Sequence, residues 1–197
     1  MIFLSEITIP SMPIASIHQL IWKLFDVPDE SDRPFVYRSQ GSGRYLILSR
    51  LRPRNAYWSM ETPGAGQTVT FEVEACVEKW VGTRLKYERP RGSSDDRRGR
   101  RPVVDNAELQ EWIRARLEGA EVPFVHAFNR APLQLRHHRH GNQKFHRTRF
   151  VGTAHVTDRA VFERTLLRGA GRGKYTGLGL IYLPDLMARP ATLERNA

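Results

Sequence analysis

The chain has 197 residues, of which 40% are hydrophobic, so it can form one packed domain or two small ones and is not intrinsically disordered. It carries 31 Lys and Arg against 21 Asp and Glu, and the net charge of +10 favours a polyanionic partner such as nucleic acid. The single cysteine excludes an internal disulfide and a cysteine-rich zinc site, and it favours a reducing, cytoplasmic setting. No apolar run approaches the ~20 residues of a membrane helix.

The first sixty residues predict one helix among four strands. The N-terminus lacks the basic and long apolar regions of a signal peptide, so we interpret it as a strand. Apolar residues then recur at helical spacing, and two alternating segments flank the turn QGSG. The predicted elements are strand 2–9, helix 14–25, strands 33–39 and 43–50, and a short strand 57–60. This order leaves little room for a second helix.

From residue 68 the same pattern starts again with more elements. Asp105 and Asp158 are placed to cap two helices, and the Gly-Asn pair of HGNQ at 140–143 predicts a hairpin turn. The predicted elements are strand 68–80, helix 105–118, strands 121–128, 133–139 and 144–156, helix 158–168 and strand 177–185. We therefore predict an α+β fold of two tandem ferredoxin-like (RRM/RAMP-type) domains. The predicted bounds are 1–64 for an abbreviated first domain, 66–185 for the second and 186–197 for a flexible tail.

Positive charge is concentrated in two stretches. The segment 84–101 mixes arginines with Pro, Gly and Ser and predicts a basic loop, which is either simply solvated or binds an anion. The segment 122–157 contains no Asp or Glu. Its cations are Arg130, Arg136, Arg139, Lys144, Arg147 and Arg149. On a projecting hairpin, these long cationic side chains can bind the phosphates of both strands of an RNA stem. Proteins recognise double-stranded RNA mainly by its shape and its phosphates.

Four histidines in this hairpin also admit interpretation as a metal site. Histidine is a common ligand of zinc and nickel, and this hairpin contains His137, His138, His140 and His146. No carboxylate or thiolate lies near them in the sequence, and the neighbouring arginines repel a cation. We therefore favour contact with nucleic acid and expect neither a metal nor another cofactor.

His18 lies in the predicted first helix, on the arc that also holds Ile14, Ile21 and Phe25. This pattern is typical of a core histidine whose nitrogens are hydrogen-bonded. His18 also lies in the first helical turns, where an imidazole can reach the open end of a sheet and act as a general acid or base near neutral pH. The pattern leaves both interpretations open.

A glycine-rich loop, GAGRGKYTGLGLIYL at 169–183, leads into the last strand. Because glycine tolerates positive φ and leaves room for a ligand, the loop can bring backbone amides, Arg172 and Lys174 to a phosphate chain. It can equally be a tight turn, and the glycines alone do not decide between the two.

Five segments together resemble a known family. In chain order they are FLSEITI, IHQLIWKLF, RPFVYR, WIRARL and GAGRGKYTGLGLIYL. They resemble the CRISPR repeat-processing endoribonuclease of type I-E systems, the CasE subunit of the Cascade complex, from Ile2 to about Leu183. The glycine loop is shared by a wider group of repeat-associated RNA-binding proteins, whereas the histidine before the apolar LIWKLF run narrows the resemblance to this family.

The resemblance implies roles for individual residues. His18 matches the catalytic histidine, and Lys23 matches a lysine that lies near the scissile phosphate in some members. The implied RNA contacts are Arg33, Arg38, Arg136, Arg139, Lys144, Arg147, Arg149, Gly169, Gly171, Arg172, Gly173, Lys174, Gly177 and Gly179. Ala15 stands where several members have a tyrosine, so that role is vacant or passes to another residue such as Tyr175.

The resemblance also implies an activity. It predicts a metal-independent, cytoplasmic endoribonuclease that cleaves CRISPR precursor RNA at the base of the repeat stem-loop through attack of the 2'-hydroxyl, leaving a 2',3'-cyclic phosphate. The enzyme would stay bound to the mature crRNA hairpin beside the other Cascade subunits, with no membrane partner. Two alternatives remain, a non-catalytic RNA-binding scaffold of the same fold and a basic ribosome-associated protein that binds many structured RNAs.

Overall fold

The structure is a computed structural model that describes residues 1–10, 12–27, 33–81, 99–103, 105–137 and 141–188. The strands are β1 Ile2–Thr8, β2 Phe35–Gly41, β3 Arg44–Ser49, β4 Tyr57–Met60, β5 Thr68–Cys76, β6 Glu78–Val81, β7 Gly99–Pro102, β8 Ala120–His137, β9 Gly141–Val156 and β10 Ile181–Tyr182. The helices are α1 Ile14–Trp22, α2 Asn106–Arg114, α3 Arg159–Arg168 and α4 Pro184–Met187, and a 3₁₀ turn spans Lys174–Thr176. Within these residues no helix is long and apolar enough to cross a membrane.

The two large sheets repeat one strand order. The first sheet runs β2-β3-β1-β4 and the second runs β8-β9-β5-β10, with every neighbouring pair antiparallel. Strands β6 and β7 pair separately. If the four strands of each sheet are numbered in chain order, both sheets have the same spatial order, 2-3-1-4. The prediction of tandem ferredoxin-like domains is confirmed, and the described part of the first half contains one helix, α1.

Helix α1 covers one face of the first sheet. The side chains of Ile17 and Ile21 form a buried cluster with Phe35, Tyr37 and Ile47 from β2 and β3. Because side chains alternate across a strand, Val36, Leu46 and Leu48 point to the opposite face of the sheet. Since these side chains are apolar, that second face must also be covered.

The second face is covered by α3, which belongs to the other half of the chain. Val36 and Leu48 of the first sheet share one buried cluster with Phe162 and Leu166 of α3. Helix α3 contacts β2, and Glu163 of α3 accepts a hydrogen bond from the hydroxyl of Thr62. The abbreviated first half therefore takes its second covering helix from its neighbour, and one core runs through both.

Both predicted helix caps are confirmed. A carboxylate oxygen of Asp105 accepts a hydrogen bond from the Glu108 amide at 2.9 Å, and Asp158 does the same for Val161 at 2.9 Å. These bonds satisfy amides that have no partner within the helix, which is why the two helices begin where the sequence predicts.

Four predicted strands differ from the structure. The segment 68–80 divides at Val77, because the chain leaves the second sheet there and β6 pairs with β7 instead. The segments 121–128 and 133–139 join in one strand, β8, with irregularities at Pro123 and Pro132, where an edge strand tolerates the missing amide. The last strand is only two residues long.

The predicted hairpin is confirmed as the β8–β9 pair, but the Gly-Asn pair is not its turn. Gly141 pairs with His137 and Asn142 pairs with Arg136, so both residues already belong to the ladder between β8 and β9. Residues 138–140 and residues 84–98 of the predicted basic loop lie outside the described residues, whereas residues 99–101 of that loop belong to β7. The predicted tail overlaps α4, where Met187 is buried in the core, and residues 189–197 lie outside the described part.

Candidate functional site

His18 lies on α1 against three aromatic rings. Its ring centroid is 5.5 Å from that of Phe35, 6.0 Å from that of Trp22 and 6.3 Å from that of Tyr37. The side chain is half-buried, and its buried Nδ1 has no hydrogen-bond partner among the described residues. A core histidine normally has its nitrogens satisfied, so this environment differs from the one that the core interpretation predicts.

The surroundings of His18 favour a neutral imidazole. Burial lowers the pKa of His18, and the positive charge of Arg33 lowers it further. Arg33 also lies within electrostatic range of Lys174, whose pKa is lowered first by burial and then by Arg33. The site therefore combines an uncharged imidazole at pH 7 with cationic side chains that can face an anion.

Tyr37 connects this imidazole to the glycine loop. Its hydroxyl donates a hydrogen bond of 2.5 Å to the carbonyl of Tyr175, and burial raises its pKa. A Cβ on Gly177 would lie 3.2 Å from the Tyr37 ring, and Gly177 has a φ of +85°. The 3₁₀ turn of the loop also contacts α1. Tyr37 was not among the predicted site residues, although a tyrosine directly after Phe35 and Val36 signals a buried hydroxyl that needs a partner.

Two of the predicted RNA-binding glycines lie in the interior. Gly169 and Gly179 are buried where two chain segments cross, and the amide of Ala170 donates to the carbonyl of Gly179 at 2.7 Å. A Cβ on Gly169 would lie 2.6 Å from that carbonyl oxygen. Close backbone approach explains these two glycines without a ligand. Gly171 and Gly173 are half-buried and also have positive φ values.

A cleft of about 420 Å³ opens beside the loop, between the two halves of the chain. Ile14, one helical turn before His18, lines it from the first half. Three of the predicted RNA-binding arginines also line it, namely Arg38, Arg147 and Arg149. The structure thus brings together cations that are far apart in the sequence.

The cleft arginines are held by carboxylates. Glu72 pairs with Arg149 at 2.9 Å and with Arg38 at 3.7 Å, and Glu74 pairs with Arg147 at 3.5 Å. A guanidinium has five N–H donors, so an arginine with one carboxylate partner keeps donors for a phosphate. The arginines are consequently both oriented and available.

The other predicted RNA-binding cations are not among the described residues that line the cleft. Lys144 is exposed on β9, and Arg172 pairs with Glu78 at 2.6 Å. Arg136 lies in β8 opposite Asn142, whereas Arg139 lies outside the described residues. Within the described part no three metal-binding side chains lie together, and two of the four hairpin histidines, at 138 and 140, are outside it.

Lys23 is not placed beside His18. It follows the end of α1, is exposed, and is five residues beyond His18. Five residues correspond to about 140° around a helix, so the two side chains leave α1 in different directions. Arg33 and Lys174 are the cations that the fold brings to this region instead.

Comparison with known proteins identifies related sequences and folds. A family model described as CRISPR associated protein matches residues 12–184. No curated protein matches the chain. The fold is similar to that of the CRISPR-associated protein Cas6e from Escherichia coli K-12, with 22% identity, a TM-score of 0.72, and coverage of 92% of this chain and 98% of that one.

Two further solved structures are similar. One is the CRISPR endoribonuclease Cse3 bound to a 19-nucleotide RNA, at 19% identity and a TM-score of 0.73, covering 93% of this chain and 99% of that one. The other is a chain of a CRISPR RNA-guided surveillance complex, at 18% identity and a TM-score of 0.70, covering 92% of this chain and 98% of that one. At these identities the likeness concerns the fold.

Proposed function

Because this chain belongs to the family of CRISPR-associated proteins, as the sequence resemblance predicts, we propose that it is an endoribonuclease that cleaves CRISPR precursor RNA. Cleavage occurs at the base of the repeat stem-loop, and the protein stays on the crRNA hairpin as a Cascade subunit. A protein of the same fold is a CRISPR endoribonuclease with bound RNA, and another is part of an RNA-guided surveillance complex. The observation that carries the proposal is the half-buried His18 within electrostatic range of Arg33, one helical turn from Ile14, which lines an arginine-lined cleft.

The proposed chemistry uses the substrate's own 2'-hydroxyl as nucleophile. Neutral His18 accepts the proton of the 2'-hydroxyl as the 2'-oxygen attacks the adjacent phosphorus in line. The bond to the 5'-oxygen breaks, and that oxygen takes up a proton from water. The products are a 2',3'-cyclic phosphate and a 5'-hydroxyl end. Arg33 and Lys174 offset the negative charge that develops on the phosphate oxygens. No step requires a metal ion.

The tyrosine role that Ala15 leaves vacant does not pass directly to Tyr37. Burial raises the pKa of Tyr37, so its hydroxyl stays protonated at neutral pH, and it donates to the Tyr175 carbonyl. We infer that Tyr37 holds the glycine loop, and Lys174 with it, against α1. Lys23 can contact a phosphate beyond the scissile one, since it is exposed at the end of the same helix.

The test is cleavage in the presence of EDTA. The purified chain is incubated with radiolabelled CRISPR repeat hairpins, and the 3' ends of the products are identified by their resistance to periodate. We expect a single cut at the foot of the stem and a cyclic phosphate end. Loss of cleavage on addition of EDTA would contradict the mechanism. A hairpin that is bound but left intact would identify a non-catalytic RNA-binding scaffold.

The pKa of His18 predicts the pH dependence of the reaction. A base must be deprotonated, so the single-turnover rate should fall as the pH decreases through a pKa below the ordinary value of 6.5. Arg33→Gln removes a positive charge that disfavours the imidazolium, so the acid limb of the profile should move to higher pH. Arg159→Gln makes the same charge change at a distant ion pair with Glu61 and serves as the control. An acid limb that stays in place in Arg33→Gln would show that Arg33 does not act on His18.

The basic hairpin predicts slow product release. Its phosphate contacts are the same before and after a cut at the foot of the stem, and such uniform binding retains the product without raising the chemical rate. Turnover should stop near one equivalent of RNA, and replacement of Arg136, Arg139 and Arg147 by Ala should speed product release more than it changes a saturating single-turnover rate. Ala at Arg52, Arg54 and Arg159 removes equal charge from exposed side chains elsewhere. Multiple turnover by the unmodified chain would contradict this prediction.

A further inference from the structure

Three aromatic side chains lie next to one another on the open face of β8, and the reaction does not use them. They are Phe124, His126 and Phe128, here called the β8 stripe. Phe124 and Phe128 are 52% and 50% exposed, among the most exposed large apolar residues in the described part of the chain. The His126 ring lies between them, with its centroid 4.7 Å from that of Phe124 and 6.1 Å from that of Phe128.

A bulge in β8 turns these rings outward. Glu121 pairs with His155, but the next pair is Phe124 with Thr153, so β8 has one extra residue at this point. Val122 before the bulge and Val125 after it are both buried. With strict alternation Phe124 would share the buried face of Val122. The bulge at Pro123 therefore exposes rings that an unbroken strand would bury.

The stripe is continuous with the cleft. Phe128 lies directly opposite Arg149 in the ladder with β9, and directly opposed residues share one face of the sheet. Arg149 lines the cleft and retains 37% of its side-chain surface. A strand that leaves the cleft along β8 would pass Arg149 first and then Phe128, His126 and Phe124.

We propose that the β8 stripe binds unpaired bases of a single-stranded RNA segment that adjoins the stem, by stacking them on its rings. The proposal rests on the proposed function, because it assumes that RNA enters the cleft. Aromatic side chains on an exposed sheet face are the usual platform for unpaired bases, and stacking tolerates any base. Alternate residues of a strand are about 6.8 Å apart, roughly twice the 3.4 Å rise per nucleotide in a stacked strand.

The shape of the patch favours RNA over a protein partner. Opposite the stripe on β9 lie Thr153, Val151 and Arg149, of which only Val151 is apolar. The apolar surface is therefore a narrow strip, whereas the core of a protein interface is a broad apolar area surrounded by a polar rim. A row of rings that ends in a cation fits bases joined by a phosphate backbone.

The test separates stacking from apolar contact. Phe124→Leu with Phe128→Leu removes both benzene rings but keeps apolar side chains, and Phe124→Tyr with Phe128→Tyr restores rings of the same kind. Leu186→Ala, which shortens an exposed apolar residue elsewhere, is the control. The probes are a single-stranded oligouridylate of about eight nucleotides, a repeat hairpin with single-stranded extensions, and the same hairpin trimmed to its stem.

We expect the Leu pair to bind the oligouridylate and the extended hairpin about 5- to 100-fold more weakly, and the Tyr pair and Leu186→Ala to bind them as the unmodified chain does. Binding of the trimmed hairpin should be unchanged in all variants. Failure to bind the trimmed hairpin would count against the proposed function, whereas the oligouridylate measurement tests the stripe separately. The proposal is overturned if the Leu pair binds all probes normally, or if the substitutions change only the oligomeric state in sedimentation.

Discussion

His18→Ala should lower the single-turnover rate of RNA cleavage by about 10²- to 10⁴-fold, the usual cost of losing a general acid or base. The imidazole is the one titratable group near neutral pH in its cluster with Phe35, Tyr37 and Trp22. Burial and Arg33 lower its pKa and keep it neutral, so it is ready to accept a proton at pH 7. RNA affinity should change little, because we propose that arginine and lysine side chains make the phosphate contacts.

Two control variants separate chemistry from packing at this position. His18→Gln fills most of the same space beside the aromatic rings and should lose as much activity as the alanine variant. Gln19→Ala changes the next residue on α1, which is exposed, and should cleave normally. Rates are measured with enzyme in excess over labelled hairpin, and thermal unfolding verifies the fold. Undiminished cleavage by His18→Ala would remove His18 from the mechanism.

Gly179→Ala should destabilise the protein by about 3 kcal/mol or more, the second large effect that we expect. Gly179 has a φ of +88°, and a Cβ there would lie 2.4 Å from the carbonyl oxygen of Ala170. That oxygen belongs to the backbone, so the clash cannot be relieved by rotating a side chain. Any shift would disturb the 2.7 Å hydrogen bond from the Ala170 amide to the Gly179 carbonyl. It would also disturb the close backbone contact between these two segments, which supports the glycine loop.

Gly66→Ala is a closely matched control for this effect. Gly66 has a φ of +87°, and a Cβ there would meet nothing within 4 Å. Its replacement should therefore cost only the strain of a left-handed backbone, about 1 kcal/mol. Urea denaturation of the two variants measures the difference in the free energy of unfolding. Equal losses in the free energy of unfolding would show that glycine is required at position 179 by its positive φ alone, and not by the close approach of Ala170.

The sequence by itself determined the order of the elements and the family. Alternating and helical apolar spacing placed nearly every strand and helix, since those periods follow from local backbone geometry. Asp105 and Asp158 marked two helix starts because a cap acts within three residues. The segment around His18 and the glycine loop indicated the family, which the match over residues 12–184 confirms.

Only the tertiary structure decided which charges and rings meet. Lys23 and Lys174 are equally basic in the sequence, yet the contact between α1 and the 3₁₀ turn brings only Lys174 to the side of Arg33. The pairing of Glu72 with Arg149 joins residues that are far apart in the chain. The bulge in β8 reversed the alternation that would have buried Phe124. Each of these outcomes depends on long-range strand pairing and packing, and local sequence periodicity carries no information about them.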